Sequence, residues 1–384
     1  MHLDTLAKDD SRWMAHAIKL AQKGCYTARP NPCVGCVLVK NDQLLAEGWH
    51  YRAGLAHAEA HALSQVTSGQ TQGATAYVTL EPCSHQGRTA PCSDALIAAG
   101  VARVVYGMQD PNPLVAGNGL VKLMQANIKV TGPVLESQCQ ALNAGFISAM
   151  RRQRPYVRAK MAISLDGRTA MKNGESQWIT GSAARADVQK LRAASGAIVT
   201  GVESTVQDNS RLNLRRDELA IDNIDDVLAN PPLRVVLDST LRIPHESAIL
   251  KGDAPTLIMT SLSDDALAMN PKKRSLTANQ HVEVVSVPSD KKGRIDLSAC
   301  LEILLKQYHC NDVLIEAGAT LAGSFFEQEL IDEWVIYQAP VLLGAAARPM
   351  LQWSIQTMAD KQTLTIKDQR LIGQDLRITA IADY

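Results

Sequence analysis

Apolar runs alternate with helix-length amphipathic segments, stop at Met150-Arg-Arg-Gln-Arg-Pro155, and then start again. No other feature constrains the fold of this chain as much. Strand and helix patterns that alternate through short connections fold as layered α/β units. The break is basic and ends in proline, which disfavours helix at the residue before it. At 384 residues the chain is too long for one ordinary core and suits two. Two α/β domains are therefore expected, over 1–150 and 151–384.

In the first, Asp10 reads as the cap of a helix with Trp13, Met14, Ala17, Ile18 and Ala21 inward and Gly24 at its end. Strands are expected at 34–39, 76–80, 101–106 and 128–130, and helices at 57–66, 91–99 and 119–126. In the second, strands are expected at 156–163, 197–200, 233–238, 256–260, 282–287, 312–315 and 333–341. Helices are expected at 183–194 and 323–329, and two strands joined near Gly373 at 364–381. The polar stretches 216–231 and 261–280 read as long surface loops.

Composition narrows the function. Formal net charge is +0 and aromatics are 4%, which argues against a nucleic-acid partner needing a basic surface and stacking platforms. The N-terminus lacks a signal-peptide core, and no apolar run reaches membrane-spanning length. A cytoplasmic location with reduced thiols is expected, so the eight cysteines do not form a disulfide framework.

Two of them, Cys83 and Cys92, each follow a proline in Val78-Thr-Leu-Glu-Pro-Cys-Ser-His-Gln-Gly-Arg-Thr-Ala-Pro-Cys92. They are candidates for packing, redox pairing or metal ligation. Upstream lies His57-Ala58-Glu59. One imidazole and two thiolates suit tetrahedral zinc with a fourth position open to water. A carboxylate nearby but off the metal can shuttle protons, and Glu59 is the candidate. Residues two apart diverge in mid-helix, so His57 and Glu59 share a site only at a helix's first turn. Cys25, Cys139, Cys300 and Cys310 read as packing residues. Cys33-Val-Gly-Cys36 has ligand spacing but runs into an apolar strand without a second half, and packing is the preferred reading. His61 reads as a packed or exposed helix residue, and His85 as a loop residue that touches substrate.

His-Ala-Glu followed by Glu81-Pro-Cys83 and Pro91-Cys92 resembles the zinc-dependent cytidine-deaminase superfamily. The eight residues between the cysteines depart from its usual two. Together with Asn31-Pro32, Val34-Gly35-Cys36 and Asp110-Pro-Asn112 through Gly119, they resemble the deaminase half of the bifunctional riboflavin-biosynthesis deaminase/reductase; Ala90 stands where that family usually has proline. Lys160-Met-Ala-Ile-Ser-Leu-Asp-Gly-Arg-Thr-Ala170, Gly174-Glu-Ser-Gln-Trp-Ile-Thr-Gly181, Val199-Thr-Gly-Val-Glu-Ser-Thr-Val-Gln-Asp208 and Glu316 to Ser324 resemble its reductase half. Gln207, Asn209 and Asn213 depart from the family pattern around Asp208 and Arg215.

The resemblance implies a cytidine-deaminase-like three-layer α/β/α domain followed by a dihydrofolate-reductase-like α/β domain. It implies Zn2+ on His57, Cys83 and Cys92, with Glu59 catalytic. The substrate it implies is 2,5-diamino-6-(ribosylamino)pyrimidin-4-one 5′-phosphate, which Asn31, His85, Arg88, Asp110 and Asn112 would meet. In the second half, NADPH would meet Ala162, Trp178, Ser204, Asp208, Ser239 and the turn Gly318, Ala319, Thr320, Leu321, Ala322, Gly323 and Ser324. Substrate would meet Ser176, Arg192, Leu212, Arg215 and Glu316, with guanidinium suited to phosphate. A homodimer through the reductase half is implied. From the residues alone, Trp178 also reads as a core residue and Asp208 as a weak candidate proton donor. A nucleic-acid-editing deaminase conflicts with the charge, and a structural zinc site normally closes all four positions with protein ligands.

Overall fold

The computed structural model describes residues 2–85, 90–113 and 115–384, with side chains from residue 9 onward. The chain forms two compact units, Met1–Gln153 and Arg154–Tyr384.

The first unit runs α1 (His2–Gln22), β1 (Gly35–Lys40), β2 (Gln43–Trp49), α2 (Ala58–Leu63), β3 (Thr75–Val78), α3 (Cys92–Ala98), β4 (Arg103–Tyr106), α4 (Asn118–Gln125), β5 (Lys129–Thr131), α5 (Glu136–Leu142) and α6 (Ala144–Arg152). Its sheet has the order β2-β1-β3-β4-β5. β1 pairs antiparallel with β2 and β3, and β3, β4 and β5 run parallel. Alternation along β1 builds the layers. Val37 and Val39 pack against Trp13, Met14 and Ala17 of α1 and Cys139 of α5. Cys36 and Leu38 pack the other way, against Ala58 and Ala62 of α2 and Leu96 of α3. The result is a three-layer α/β/α unit.

Asp10 is not a cap. α1 starts eight residues earlier, and the buried Asp10 carboxylate accepts from Arg103 at 2.9 and 2.6 Å and from Tyr77 at 3.0 Å. Its cross-element partners outweigh the local capping preference.

The second unit runs β6 (Tyr156–Ser164), β7 (Arg168–Ala170), α7 (Ser182–Ala194), β8 (Ala197–Gly201), α8 (Val202–Asp208), α9 (Ile224–Ala229), β9 (Leu233–Leu237), β10 (Thr256–Thr260), α10 (Asp264–Met269), α11 (Pro271–Leu276), β11 (Val282–Ser286), α12 (Leu297–Lys306), β12 (Asp312–Ile315), α13 (Ala319–Glu327), β13 (Glu333–Ala339), β14 (Arg348–Pro349), β15 (Leu364–Ile372) and β16 (Asp375–Ala382). Nine strands form one sheet, β11-β10-β9-β8-β12-β6-β13-β16-β15. It is parallel from β11 through β13, and β16 and β15 join antiparallel. Val235 and Leu237 of β9 face a core shared with α12 and α13, while Val236 faces one shared with Val202, Leu267 and Leu276. The parallel strands therefore aim their carboxyl ends at one edge, where sheets of this kind bind ligands.

The stretches read as loops, 216–231 and 261–280, contain α9, α10 and α11. These are six residues each, and each buries one apolar side chain: Val227, Leu267 and Leu276. Ser263 and Asn270 cap α10 and α11, and Pro271 opens α11, so local capping carries helices too short to show a periodicity.

Candidate active sites

The turn that ends at Gly54 delivers His57 as the extended N-cap of α2. Glu59 therefore sits in the first turn, and a pair two residues apart can face one site. Pro91 caps α3, which puts Cys92 at its first position, and the Cys92 backbone N–H donates to Cys83 Sγ at 3.3 Å. His57 Nδ1 lies 3.6 Å from Cys83 Sγ and 3.3 Å from Cys92 Sγ, and the three donor atoms all lie within 4.8 Å of one another. The two sulfurs compete for one proton. A hydrogen bond from Cys92 holds the Cys83 thiol down at about 4, and that same bond, with burial, pushes the Cys92 thiol up. Glu59 is buried, and burial pushes its carboxyl up to about 7, with the Cys83 charge adding to the rise.

His57, Glu59 and Cys83 open into a cavity of 260 Å³. Asn31, His85, Asp110 and Asn112 all line it; Arg88 lies outside the described residues. Burial raises the Asp110 carboxyl above its ordinary range. Among the lining groups that sequence reasoning missed are His50, Glu81 and Phe146. Asn31 Nδ2 donates to His50 Nε2 at 3.0 Å, so His50 Nδ1 carries the proton and donates to Ala56 O at 3.1 Å. Glu81 accepts from the backbone N–H of Asp110, Gly117 and Gly119 at 3.2, 3.0 and 3.0 Å. Its place directly before Pro82-Cys83 was the available signal. His61 is a packed residue, edge-on to Trp49. All eight cysteines are free of disulfides. Cys36, Cys139, Cys300 and Cys310 are buried, and Cys25 and Cys33 are half-buried.

In the second unit two cavities lie at the carboxyl edge of the parallel strands. One of 520 Å³ is lined by Ala162, Ser176, Trp178, Arg192, Asp208, Leu212, Arg215 and Glu316. The other, of 770 Å³, is lined by Ser239, Thr320, Leu321 and Ser324. Ser204, Gln207, Gly318, Ala319 and Arg348 line both, so the cavities adjoin. Ala322 and Gly323 line neither. Ala322 is buried in the core, and Gly323 abuts the backbone of Gln352. On a helix only one face of a seven-residue motif can reach the cavity, so a run of consecutive contacts is not available.

Trp178 is no core residue. It is 63% exposed, with the Arg185 guanidinium 4.6 Å from its ring. Ser176 donates to Asp208 at 2.9 Å. Arg192 forks onto Glu316 at 2.5 and 3.0 Å, and Lys160, unforeseen from the sequence, lies 3.4 Å from the same carboxylate. Burial drives the Glu316 carboxyl up, but Arg192 and Lys160 outweigh it and hold it at about 2. Arg215 pairs with Glu218 at 2.8 Å.

Comparison with known proteins bears on both units. Residues 155–377 match the RibD C-terminal domain, and residues 7–108 match the cytidine and deoxycytidylate deaminase zinc-binding region. The riboflavin biosynthesis protein RibD of Escherichia coli (strain K12) is 44% identical over 373 residues, covering 96% of this chain and 98% of its own. The chain belongs to the RibD family. The Haemophilus influenzae RibD is 41% identical, with 97% of each chain covered. The Acinetobacter baumannii RibD structure superposes with a TM-score of 0.88 at 45% identity, covering 98% of this chain and 100% of that one. A diaminohydroxyphosphoribosylaminopyrimidine deaminase/5-amino-6-(5-phosphoribosylamino)uracil reductase from Thermotoga maritima gives 0.84 at 29% identity, covering 98% and 99%.

As a RibD protein, the chain is a bifunctional deaminase and reductase of riboflavin biosynthesis, with a zinc-binding deaminase unit and an NADPH-using reductase unit. The residues present fit both cofactors. A tetrahedron with ligand bonds of 2.0–2.3 Å has edges of roughly 3.3–3.8 Å, close to the His57–Cys distances, and a dication relieves the proton competition between the sulfurs. At the second site α13 opens at Gly318 with no side-chain cap, so its first N–H groups are available to a phosphate in the larger cavity. No helix among the described residues is long and apolar enough to cross a membrane.

Proposed function

We propose that the first unit deaminates 2,5-diamino-6-(ribosylamino)pyrimidin-4-one 5′-phosphate and that the second reduces the ribosyl group of the product to ribityl. The observation that carries this reading is a three-donor cluster with a buried carboxylate beside it that is not one of the donors. His57, Cys83 and Cys92 hold zinc, which lowers the pKa of water towards neutrality. Glu59 takes a proton from the attacking water and delivers one to the departing ammonia. Asn31, held by His50, grips the ring, and His85, Asp110 and Asn112 contact the ring or ribose phosphate. Arg88 keeps its expected role as a substrate contact.

In the reductase unit, NADPH would supply the hydride that reduces C1′, with the matching proton drawn from Asp208 or solvent. Ser204, Ser239, Gly318, Ala319, Thr320, Leu321 and Ser324 hold it, with Ala162, Trp178 and Asp208 at the adjoining cavity. Ser176, Arg192, Leu212, Arg215 and Glu316 line the substrate side. Ala322 and Gly323 form the packed side of α13, Ala322 against the core and Gly323 against the Gln352 backbone. We further propose work in the cytoplasm, where Cys83 and Cys92 stay reduced, and a homodimer through the reductase unit. The dimer is supported by β15, an edge strand with Ile366 and Leu371 exposed.

The test supplies the purified protein with the diaminopyrimidine phosphate and follows ammonia release and NADPH oxidation together. Ammonia released without NADPH, with NADPH oxidised only after deamination, is the expected result. NADPH oxidation without prior ammonia release overturns the order of steps. Light scattering tests the dimer.

A further inference from the structure

Glu81 is buried at 3% exposure, directly before Pro82-Cys83, and takes no part in the chemistry above. Its carboxylate is nevertheless fully engaged. Oε2 accepts from the Asp110 and Gly117 N–H groups, and Oε1 accepts from Gly119 N–H. The Glu81 backbone N–H in turn donates to Met108 O at 2.9 Å. Both flanks of the connection from β4 to α4 are thus tied to the residue that leads into Cys83. The connection carries Asp110 and Asn112 into the cavity, and Asp110 Oδ1 accepts from Asn112 N–H at 2.8 Å. The fit is close: a Cβ on Gly119 would lie 2.0 Å from Pro82 O.

We propose that Glu81 is a positioning residue of the deaminase: one buried carboxylate, through three backbone N–H groups, sets Asp110 and Asn112 against the substrate in register with the metal ligand Cys83. The proposal rests on the reading of Asp110 and Asn112 as substrate contacts. An anion is required because all three partners are donors. An amide of the same shape offers one acceptor oxygen, and its NH2 group faces an N–H, so at least one bond is lost and one donor–donor contact is made. The connection must then move, while the metal donors stay in place: His57 and Cys92 sit at the starts of α2 and α3, and Cys83 is held by the Cys92 N–H at its Sγ and by the Ser93 N–H at its carbonyl. Misplaced binding groups weaken capture of substrate more than they slow the proton transfers at Glu59.

The experiment compares Glu81→Gln with Asp110→Asn and Asn112→Ala in the full chain, measuring deaminase KM and kcat, zinc per chain, and reductase turnover. Glu81→Gln is expected to raise KM by at least about 10-fold, change kcat by less than about 3-fold, and keep wild-type zinc and reductase turnover. Gly119→Ala, which displaces the same N–H from the opposite side, is expected to act alike; it serves as the test should Glu81→Gln fail to accumulate. A wild-type KM in either variant overturns the proposal. So does lost activity that tracks lost zinc while the KM of the remaining enzyme is unchanged, since that assigns Glu81 to folding alone. If Asp110→Asn and Asn112→Ala themselves leave KM unmoved, the reading of those two residues as contacts has failed, and the positioning role falls with it. If they raise KM and Glu81→Gln does not, the positioning role alone has failed.

Discussion

Glu59 reaches the deaminase cavity from the first turn of α2 without belonging to the donor set, so an amide in its place alters proton traffic and leaves the metal site standing. Glu59→Gln is expected to lower deaminase kcat by about 10²–10⁴-fold, the usual worth of a general acid–base, with zinc per chain unchanged in elemental analysis. Cys83→Ser and Cys92→Ser are expected instead to lose zinc and deamination together while NADPH oxidation on deaminated substrate persists. Glu316 makes a different prediction, because it answers two cations from inside the reductase unit. Its carboxyl is held at about 2, below the ordinary value of about 4.3, so the unfolded chain binds the proton more readily. Its contribution to stability is complete above about pH 4.5 and is lost as pH falls towards about 2. Glu316→Gln leaves Arg192 and Lys160 without their anion and is expected to cost roughly 3–5 kcal/mol at pH 7. Denaturant titrations of both proteins should show that gap closing below about pH 3, as the wild-type carboxyl protonates; a gap independent of pH would assign the effect to packing. Motif chemistry made His57, Glu59, Cys83 and Cys92 legible in the sequence, since few arrangements give thiolates and imidazole that spacing. His50 and Lys160 were not legible, because only folding brings them to the groups they serve.

Between residue and domain, the short elements matter most, for α2 is six residues long and depends on packing to hold His57 and Glu59. It lies on β2, where Gly48 lets the backbones approach. A Cβ at that position would meet Ala58 O and Ala62 N, both at 2.5 Å. Gly48→Ala is therefore expected to push α2 off the sheet, cost roughly 1–3 kcal/mol, and weaken zinc binding, with NADPH oxidation untouched. Competition with a zinc chelator measures it, and wild-type retention of the metal would show that α2 is held by other contacts. The sequence pattern found the long buried strands and α7 nearly to the residue, because continuous apolar runs and a 13-residue amphipathic pattern are strong signals. It missed β2, whose alternation is diluted by Gly48 and by exposed Leu44, although Asn41-Asp42, both at positive φ, form the two-residue connection of a hairpin. It also missed α5, α6, α8 and α12. α8 directly follows β8, so the reading ended at the strand and assigned no helix to Ser204 and Asp208.

For the molecule as a whole, the sequence placed the division at 150/151, inside α6, whereas the two compact units meet at Gln153 and Arg154. Proline at 155 marked the neighbourhood, but Arg151 and Arg152 before it lie in the last turn of α6, where cations suit the carbonyl end of a helix. Each unit encloses its own cores and its own cavities, lined by that unit's residues alone. We propose the cut after Gln153 as the separable boundary. Arg154 belongs with the second unit, since its guanidinium holds Asp332 at 2.7 and 3.3 Å and Asp332 also accepts from Val157 N–H. A fragment of residues 154–384 is expected to oxidise NADPH on the deaminated substrate with kcat/KM within about 3-fold of the full chain, and to release no ammonia from the diaminopyrimidine. A fragment starting at 157 lacks the Arg154 pair and leaves Asp332 buried without its cation. It is expected to lose roughly 3 kcal/mol or more of stability, read as an earlier unfolding midpoint at equal slope. Should the 154–384 fragment fold with a full cooperative transition and still leave NADPH unoxidised, the reductase site would need the first unit, and two self-sufficient halves would be the wrong description of this enzyme.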